Sequence, residues 1–281
     1  MNTESLKIFD NVYTSGYLSS EDEPANFSYS ELLPDISDNN FFKYFGLPVK
    51  HFNAIVISDI HLGSKLSRVD SLISLLQNVT FNKLIMNGDI FDSINMKRLN
   101  KKHWKLLSFL RKLTSDEKNL EVIWIRGNHD GYSDLLTQLL GIKIFDEYIF
   151  EWNNKKILVM HGDVFDVFTS KYPLISEITD IIYKLSIFLD PTNMRLSKWL
   201  KKNSKAFLRN ISIVRQRAVK YAKKRNTDIV ICGHTHYPEK AIINGIQYFN
   251  SGSWTTNPSH FIGFTENKVE LVEYSYPTNI K

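Results

Sequence analysis

Five times along the chain a short run of apolar, largely β-branched residues stops at a cluster of Asp, Asn or His. Ala54-Ile55-Val56-Ile57-Ser58 leads into Asp59-Ile60-His61-Leu62-Gly63-Ser64, and Lys83-Leu84-Ile85-Met86 into Asn87-Gly88-Asp89-Ile90-Phe91-Asp92. Glu121-Val122-Ile123-Trp124-Ile125 leads into Arg126-Gly127-Asn128-His129-Asp130-Gly131, Lys156 to Met160 into His161-Gly162-Asp163, and Asp228 to Cys232 into Gly233-His234-Thr235-His236. Runs this short and this apolar make strands buried on both faces. Between them lie helical spacings, at Val69, Leu72, Ile73, Leu75 and Leu76 and again from about Leu99 to Leu113. Strands alternating with helices predict an α/β fold whose ligand site sits at the carboxyl ends of the strands. Every polar cluster falls at such an end.

The C-terminal part (Lys240 to Ile243, Ile246 to Phe249, Phe261 to Phe264, Lys268 to Tyr274) predicts short antiparallel strands around turns at Asn244-Gly245 and Glu266-Asn267. They are expected to form a second sheet packed on the first. Residues 1–50, acidic and turn-rich with no sustained period, are read as an N-terminal extension to a domain spanning 51–281. Within that domain an insertion from about 164 to 226 is helical: Pro173 suits a first turn, with Leu174, Ile178, Ile181, Ile182 and Leu185 following at helical spacing. From Arg195 to Arg225 there is no Asp or Glu, which predicts one long basic amphipathic helix, or two broken near Asn203-Ser204.

The chain's 281 residues, 43% of them hydrophobic, suffice for one substantial core. The lone Cys232 excludes an intrachain disulfide framework and a Cys-rich zinc site. With no basic stretch leading into an apolar run at the start and no apolar segment long enough to span a bilayer, a cytoplasmic location is expected. A net charge of +5 and a pI near 9.0 admit anionic partners such as phosphate esters, nucleic acid or an anionic bilayer face.

One Asp or His after a strand more often caps a helix or satisfies a local hydrogen bond than binds a metal. Five such clusters in a chain with only eight His call for a common cause. Asp59, His61, Asp89, Asn128, His161, His234 and His236 are the hard oxygen and imidazole donors that two divalent ions about 3.5–4 Å apart require. Asp89 is the expected bridge, giving one carboxylate oxygen to each ion. Alternate residues of an extended strand point to opposite sides, so Asp59 with His61, and His234 with His236, can share a site only where the chain turns sharply. Gly63 and Gly233 would ease those turns.

Asp-x-His, Gly-Asp-x-x-Asp, Gly-Asn-His-Asp, His-Gly-Asp and Gly-His-Thr-His, in this order over residues 54 to 250, resemble the calcineurin-like metallophosphoesterase superfamily. The resemblance implies a four-layer αββα sandwich of two mixed β-sheets flanked by helices. It implies that Asp59, His61, Asp89 and His236 hold one metal, while Asp89, Asn128, His161 and His234 hold the other. It also implies that His129 contacts the phosphate and helps protonate the leaving oxygen, with Asp92 orienting it. Manganese suits O-rich ligation with imidazole, and zinc or iron would fit.

Outside the shared core, His161-Gly162-Asp163-Val164-Phe165-Asp166, the helical insertion, and Asn244-Gly245-Ile246-Gln247-Tyr248 leading to Ser251-Gly252-Ser253-Trp254 resemble the bacterial UDP-2,3-diacylglucosamine diphosphatase branch. That branch implies hydrolysis of a pyrophosphate bond in lipid A assembly, the insertion serving as a lid over the acyl chains. On this reading Lys205 and Arg209 are candidate diphosphate contacts and the basic insertion can bring the protein to the inner membrane peripherally; a solvated helix face packed on the core is the competing reading of the same residues. His129, where the branch has Arg, and Ser253, where closer paralogues have Asp, keep another lipid-linked or nucleotide diphosphate open as substrate. Hydrolysis of phosphomonoesters, cyclic nucleotides or DNA, and a non-catalytic scaffold, are the competing readings.

Overall fold

The computed structural model describes residues 50–115, 120–131, 138, 140–166 and 205–275. Among the described residues, eleven strands form two mixed sheets. The first has six, ordered β11-β10-β1-β2-β3-β4: β1 (His51–Ile57), β2 (Thr80–Asn87), β3 (Glu121–Ile125) and β4 (Lys143–Phe145) run parallel, while β10 (Ser259–Phe264) lies antiparallel beside β1 and β11 (Val269–Tyr274) antiparallel beside β10. The second has five, ordered β5-β6-β7-β9-β8: β5 (Glu147–Trp152), β6 (Lys155–Met160), β7 (Ile229–Cys232), β9 (Ile246–Asn250) and β8 (Glu239–Ile243). Here β6, β7 and β9 are parallel, with β5 and β8 antiparallel at the edges.

The period-two alternation of each strand divides its side chains between two cores. Ala54, Val56, Ile85, Ile123 and Ile125 from the first sheet meet Ile157, Val159, Ile229, Ile231 and Phe249 from the second, making a dry layer between the sheets. The other set, including Ile55, Ile57, Leu84, Met86, Val122 and Trp124, packs under helices α1 (Val69–Asn78) and α2 (Lys101–Ser115). Helix α1 buries Val69, Leu72, Ile73, Leu75 and Leu76, the i, i+3, i+4, i+7 stripe read from sequence. Asn100 starts α2 by accepting the main-chain N–H groups of Lys102 and His103 at 2.9 and 3.2 Å. On the far side, Leu158, Met160, Val230, Cys232 and Tyr248 pack against Ala218, Val219 and Ala222 of α3 (Lys205–Lys224). The four layers are therefore helix, sheet, sheet, helix, as the family resemblance implies.

The C-terminal strands do not make a sheet of their own. β8 and β9 extend the second sheet, but β10 and β11 return to the first, Ala54 pairing with Phe264 and Val56 with Ile262. The physical reason is an open edge: β1 is buried on both faces, and its free side needs hydrogen-bonding partners. Helix α3, described over Lys205–Lys224, is held by Tyr221 donating to Glu147 at 2.8 Å and by the Arg225–Glu147 and Arg215–Glu239 pairs. Residues 1–49 of the N-terminal extension and residues 167–204 of the insertion, with the helix expected from Pro173 to Leu185, lie outside the described residues. Among the described residues no helix is long and apolar enough to cross a membrane.

Candidate metal centre

β1, β2, β3, β6 and β7 all deliver their polar clusters to one edge of the sandwich, where the loops are stitched together by main-chain hydrogen bonds. Asp59 N–H donates to Gly88 O at 3.0 Å, His61 to Asp89 O at 3.0 Å, Trp254 to Asp59 O at 3.0 Å, and Gly233 to His161 O at 2.9 Å. The turns are made by the candidate ligands themselves. Asp59, His61, Asp89, His234 and His236 have φ of 54°, 51°, 52°, 63° and 55°, in the left-handed region that L-residues avoid at a cost of about 1–3 kcal/mol each. A left-handed residue at each of these alternate positions lets both side chains of a pair face the same space.

Gly63 is left-handed as well (φ 98°), but Gly233 is required for a different reason than turning. A Cβ at 233 would lie 2.6 Å from Asp59 Oδ2 and 2.6 Å from Ser58 Oγ, so only glycine lets the His234 loop close over the Asp59 loop. The contact also carries a bond, His234 N–H donating to Asp59 Oδ2 at 3.1 Å.

Two groups of ligand atoms result, Asp59 with His61 and His236, and Asp89 with His161 and His234, each within 4.8 Å of one another. In the first, His236 Nε2 is 3.0 Å from Asp59 Oδ1, and the His61 and His236 Nε2 atoms are 3.1 Å apart. In the second, His161 Nε2 is 3.3 Å from Asp89 Oδ2. That oxygen is also 3.8 Å from His61 Nε2, so Asp89 stands between the groups. The sequence reading gives one Asp89 oxygen to each ion. Here Oδ1 instead accepts the His129 main-chain N–H at 2.9 Å, and Oδ2 alone faces both groups.

Whether these residues fit metal ions is tested by their unmet hydrogen-bonding capacity. Asp59 Oδ1 and His161 Nε2, one in each group, are buried and receive no properly directed hydrogen bond. Such an orphan costs about 1–3 kcal/mol unless a cation satisfies it. The His161 ring donates from Nδ1 to Asn87 O at 2.9 Å, which leaves the Nε2 lone pair facing the site. Without a cation the electrostatics are those of a charge cluster. Burial pushes the Asp89 carboxyl up, yet the charge on the His161 imidazole beside it outweighs burial and holds it far below the ordinary range. Burial likewise opposes charge on His161, but Asp89 raises it to about 10. Asp59 is lowered by His236 against the same opposing burial. The donor set is anionic oxygen and imidazole throughout, and it fits two divalent ions.

Asn128 is exposed and lines a cleft of about 390 Å³ with Arg126, Gly127, Asp146, Asp163 and Val164. His129 is exposed, its ring edge-on to His61 at 5.2 Å, with Nδ1 2.9 Å from the Asp92 main-chain carbonyl. Asp92 thus orients His129 through its backbone. Its carboxylate is directed elsewhere, 3.6 Å from His61 Nδ1 and 2.5 Å from Arg98. Arg209 is exposed on α3, and the side chain of Lys205 lies outside the described residues.

Two residues quoted in the motifs without a role take part. Asp130 is buried and accepts four N–H groups: Ile90 and Phe91 at 3.0 and 3.1 Å on Oδ1, Gly127 and the Trp124 indole at 3.0 and 3.2 Å on Oδ2. It clamps the Asp89 loop to the Asn128 loop. Asp166 takes His234 Nε2 at 2.9 Å. A Gly-Asn-His-Asp run with its final carboxylate behind a buried strand was the available signal for Asp130. For Asp166 only its closeness to His161 was available.

A model of the calcineurin-like phosphoesterase family matches residues 52–238. The UDP-2,3-diacylglucosamine hydrolase of Wigglesworthia glossinidia brevipalpis is 22% identical over 242 residues, covering 79% of this chain and 94% of that protein. The enzyme of the same name from Blochmanniella floridana is 25% identical over 202 residues, covering 66% and 80%. A solved structure described as a novel archaeal phosphodiesterase shares 15% identity over 78% of this chain and 98% of that one, with a TM-score of 0.44. With a family match spanning all five strand-end clusters, the chain belongs to the calcineurin-like phosphoesterases and is a metal-dependent phosphoesterase.

Proposed function

We propose that the protein hydrolyses the diphosphate of UDP-2,3-diacylglucosamine, or of a similar nucleotide-linked lipid, at a dinuclear centre. The observation that carries the reading is Asp89 Oδ2 lying between two His/Asp groups at one edge of the sandwich. Asp59, His61, Asp89 and His236 would hold one ion and Asp89, Asn128, His161 and His234 the other, with manganese the first candidate and zinc or iron alternatives. Such ions supply a low-pKa water and neutralise charge on the phosphoryl oxygens. His129 presents its Nε2 to the phosphate because Nδ1 is engaged with Asp92 O, and it protonates the leaving oxygen. Asp130 keeps His129 and Asp89 in register.

The lipid reading is supported by the names of the two curated relatives and by the surroundings of the centre. Exposed Val164, Leu208 and Tyr237 offer apolar surface, Tyr237 following His236 directly. Helix α3 turns Arg209, Arg217, Lys220 and Lys223 to solvent, a face suited to diphosphate and to peripheral contact with an anionic membrane from the cytoplasm. Lys205 and Arg209 are the proposed diphosphate contacts.

The test is UMP release from UDP-2,3-diacylglucosamine under Mn²⁺, beside bis(p-nitrophenyl) phosphate and linear DNA. Manganese-dependent UMP release, with the other two substrates slow, is the expected result. Turnover of DNA or of the simple ester with none of the UDP lipid would remove the lipid assignment and leave the phosphoesterase.

A further inference from the structure

Asp166 closes the short turn Asp163–Phe165 that follows His161, and it lies outside both ligand groups. Its side chain is 7% exposed, with Oδ2 2.9 Å from His234 Nε2 and 3.1 Å from Asn210 Nδ2 of α3. The turn is itself held to α3, the Phe165 ring lying 5.8 Å from that of Tyr221 and the Phe165 carbonyl accepting from Arg217 at 3.3 Å. One carboxylate oxygen thus joins a candidate metal ligand to the helix that returns from the insertion.

A histidine has two ring nitrogens, and the partner of one decides what the other can do. With Nε2–H donated to Asp166, Nδ1 keeps its lone pair and is the nitrogen available to Asp89 and His161. We infer that Asp166 is a positioning residue for the second metal, fixing the tautomer and angle of His234 and tying both to the seating of α3. The inference rests on the dinuclear reading above and deepens it by adding a residue that acts through His234 rather than on the ion. Losing such an outer partner typically costs about 10–100-fold in metal affinity.

The experiment is Mn²⁺ titration calorimetry of the full chain, with electron paramagnetic resonance to distinguish a coupled pair of ions from a single one. In Asp166→Ala the weaker binding step should fall about 10–100-fold, the other by less than about 2-fold, and the coupled signal should give way to a mononuclear one. Asp166→Asn should restore most of the affinity, because an amide oxygen at the Oδ2 position still accepts from both His234 and Asn210. In a His234→Ala background, Asp166→Ala should add less than about 2-fold, since its route to the ion is already gone. Two unchanged steps in Asp166→Ala, equal weakening of both, failure of the Asn variant to recover, or a full additional loss in the His234→Ala background would each overturn the inference. Wild-type protein taking up no Mn²⁺ would instead overturn the dinuclear reading on which it stands.

Discussion

Replacing Asp130 by Asn should unfasten the candidate site without touching a ligand. The carboxylate accepts two N–H groups on each oxygen, all four donors being main-chain or indole groups at 3.0 to 3.2 Å. The near-isosteric amide can keep one oxygen, so either rotamer turns an NH₂ toward two donors that have no other acceptor there. If the oxygen stays with Ile90 and Phe91, the Gly127 N–H and Trp124 Nε1–H lose their partner. Each orphaned buried donor costs about 1–3 kcal/mol, which sums to roughly 2–6 kcal/mol. That is a large share of the roughly 5–15 kcal/mol stabilising a typical domain. For a chain of this size the Tm should fall by roughly 4 to 24 °C. A double-mutant cycle gives the sharper assay. Trp124→Phe, at a fully buried ring stacked on Phe91, removes one of the two stranded donors, so it should cost less in the Asp130→Asn background than in the wild type. The coupling should be about 1–3 kcal/mol by urea unfolding. A loss under about 1 kcal/mol for Asp130→Asn, or strict additivity with Trp124→Phe, would refute the clamp.

Gly233→Ala places a methyl 2.6 Å from Asp59 Oδ2 and Ser58 Oγ and should cost about 1–3 kcal/mol in stability. It should also weaken Mn²⁺ binding at the Asp59 group, and calorimetry showing native affinity would contradict the close-approach argument. In metal-free protein the His161–Asp89 pair makes stability depend on pH. His161 is raised from 6.5 to about 10, so its contribution is complete below pH 6.5 and is lost as pH climbs through 10, while the depressed Asp89 contributes above its ordinary 3.8 and loses that as pH falls. Scanning fluorimetry in EDTA should therefore show Tm declining from pH 6.5 toward 10. With Mn²⁺ the slope should reverse between pH 6.5 and 8, because the ligands must shed protons to bind, and an identical slope in both buffers would refute the pairing.

The strands bearing the site were legible in the sequence because each is an apolar run closed by polar residues, and burial on both faces leaves that pattern little freedom. β5 is not among the strands read from the sequence, although Tyr148, Phe150 and Trp152 alternate with Glu147 and Glu151 as an edge strand should, and these aromatics line the layer between the sheets. β4, only Lys143–Phe145, carries too few residues to show a period. Sheet membership of β10 was not legible, since alternation reports which side of a strand is apolar and nothing about which neighbour it joins. The candidate ligands were recognisable as donor types at strand ends, but the left-handed turns at Asp59, His61, Asp89, His234 and His236 were not. They are imposed by cross-loop bonds such as Asp59 N–H to Gly88 O, which exist only once the sheets have packed. The same holds for Asp92, whose motif spacing places it near His129 while folding decides that its carbonyl, rather than its carboxylate, makes the contact.

The most direct test is the number of Mn²⁺ ions bound per chain, counted by elemental analysis after equilibrium dialysis, in wild type and in Asp89→Ala. Because Asp89 Oδ2 alone faces both His/Asp groups, the wild type should retain two ions and the variant at most one, held weakly. Two ions retained with unchanged affinity in Asp89→Ala, or a wild type that retains none, would contradict a centre organised around that carboxylate.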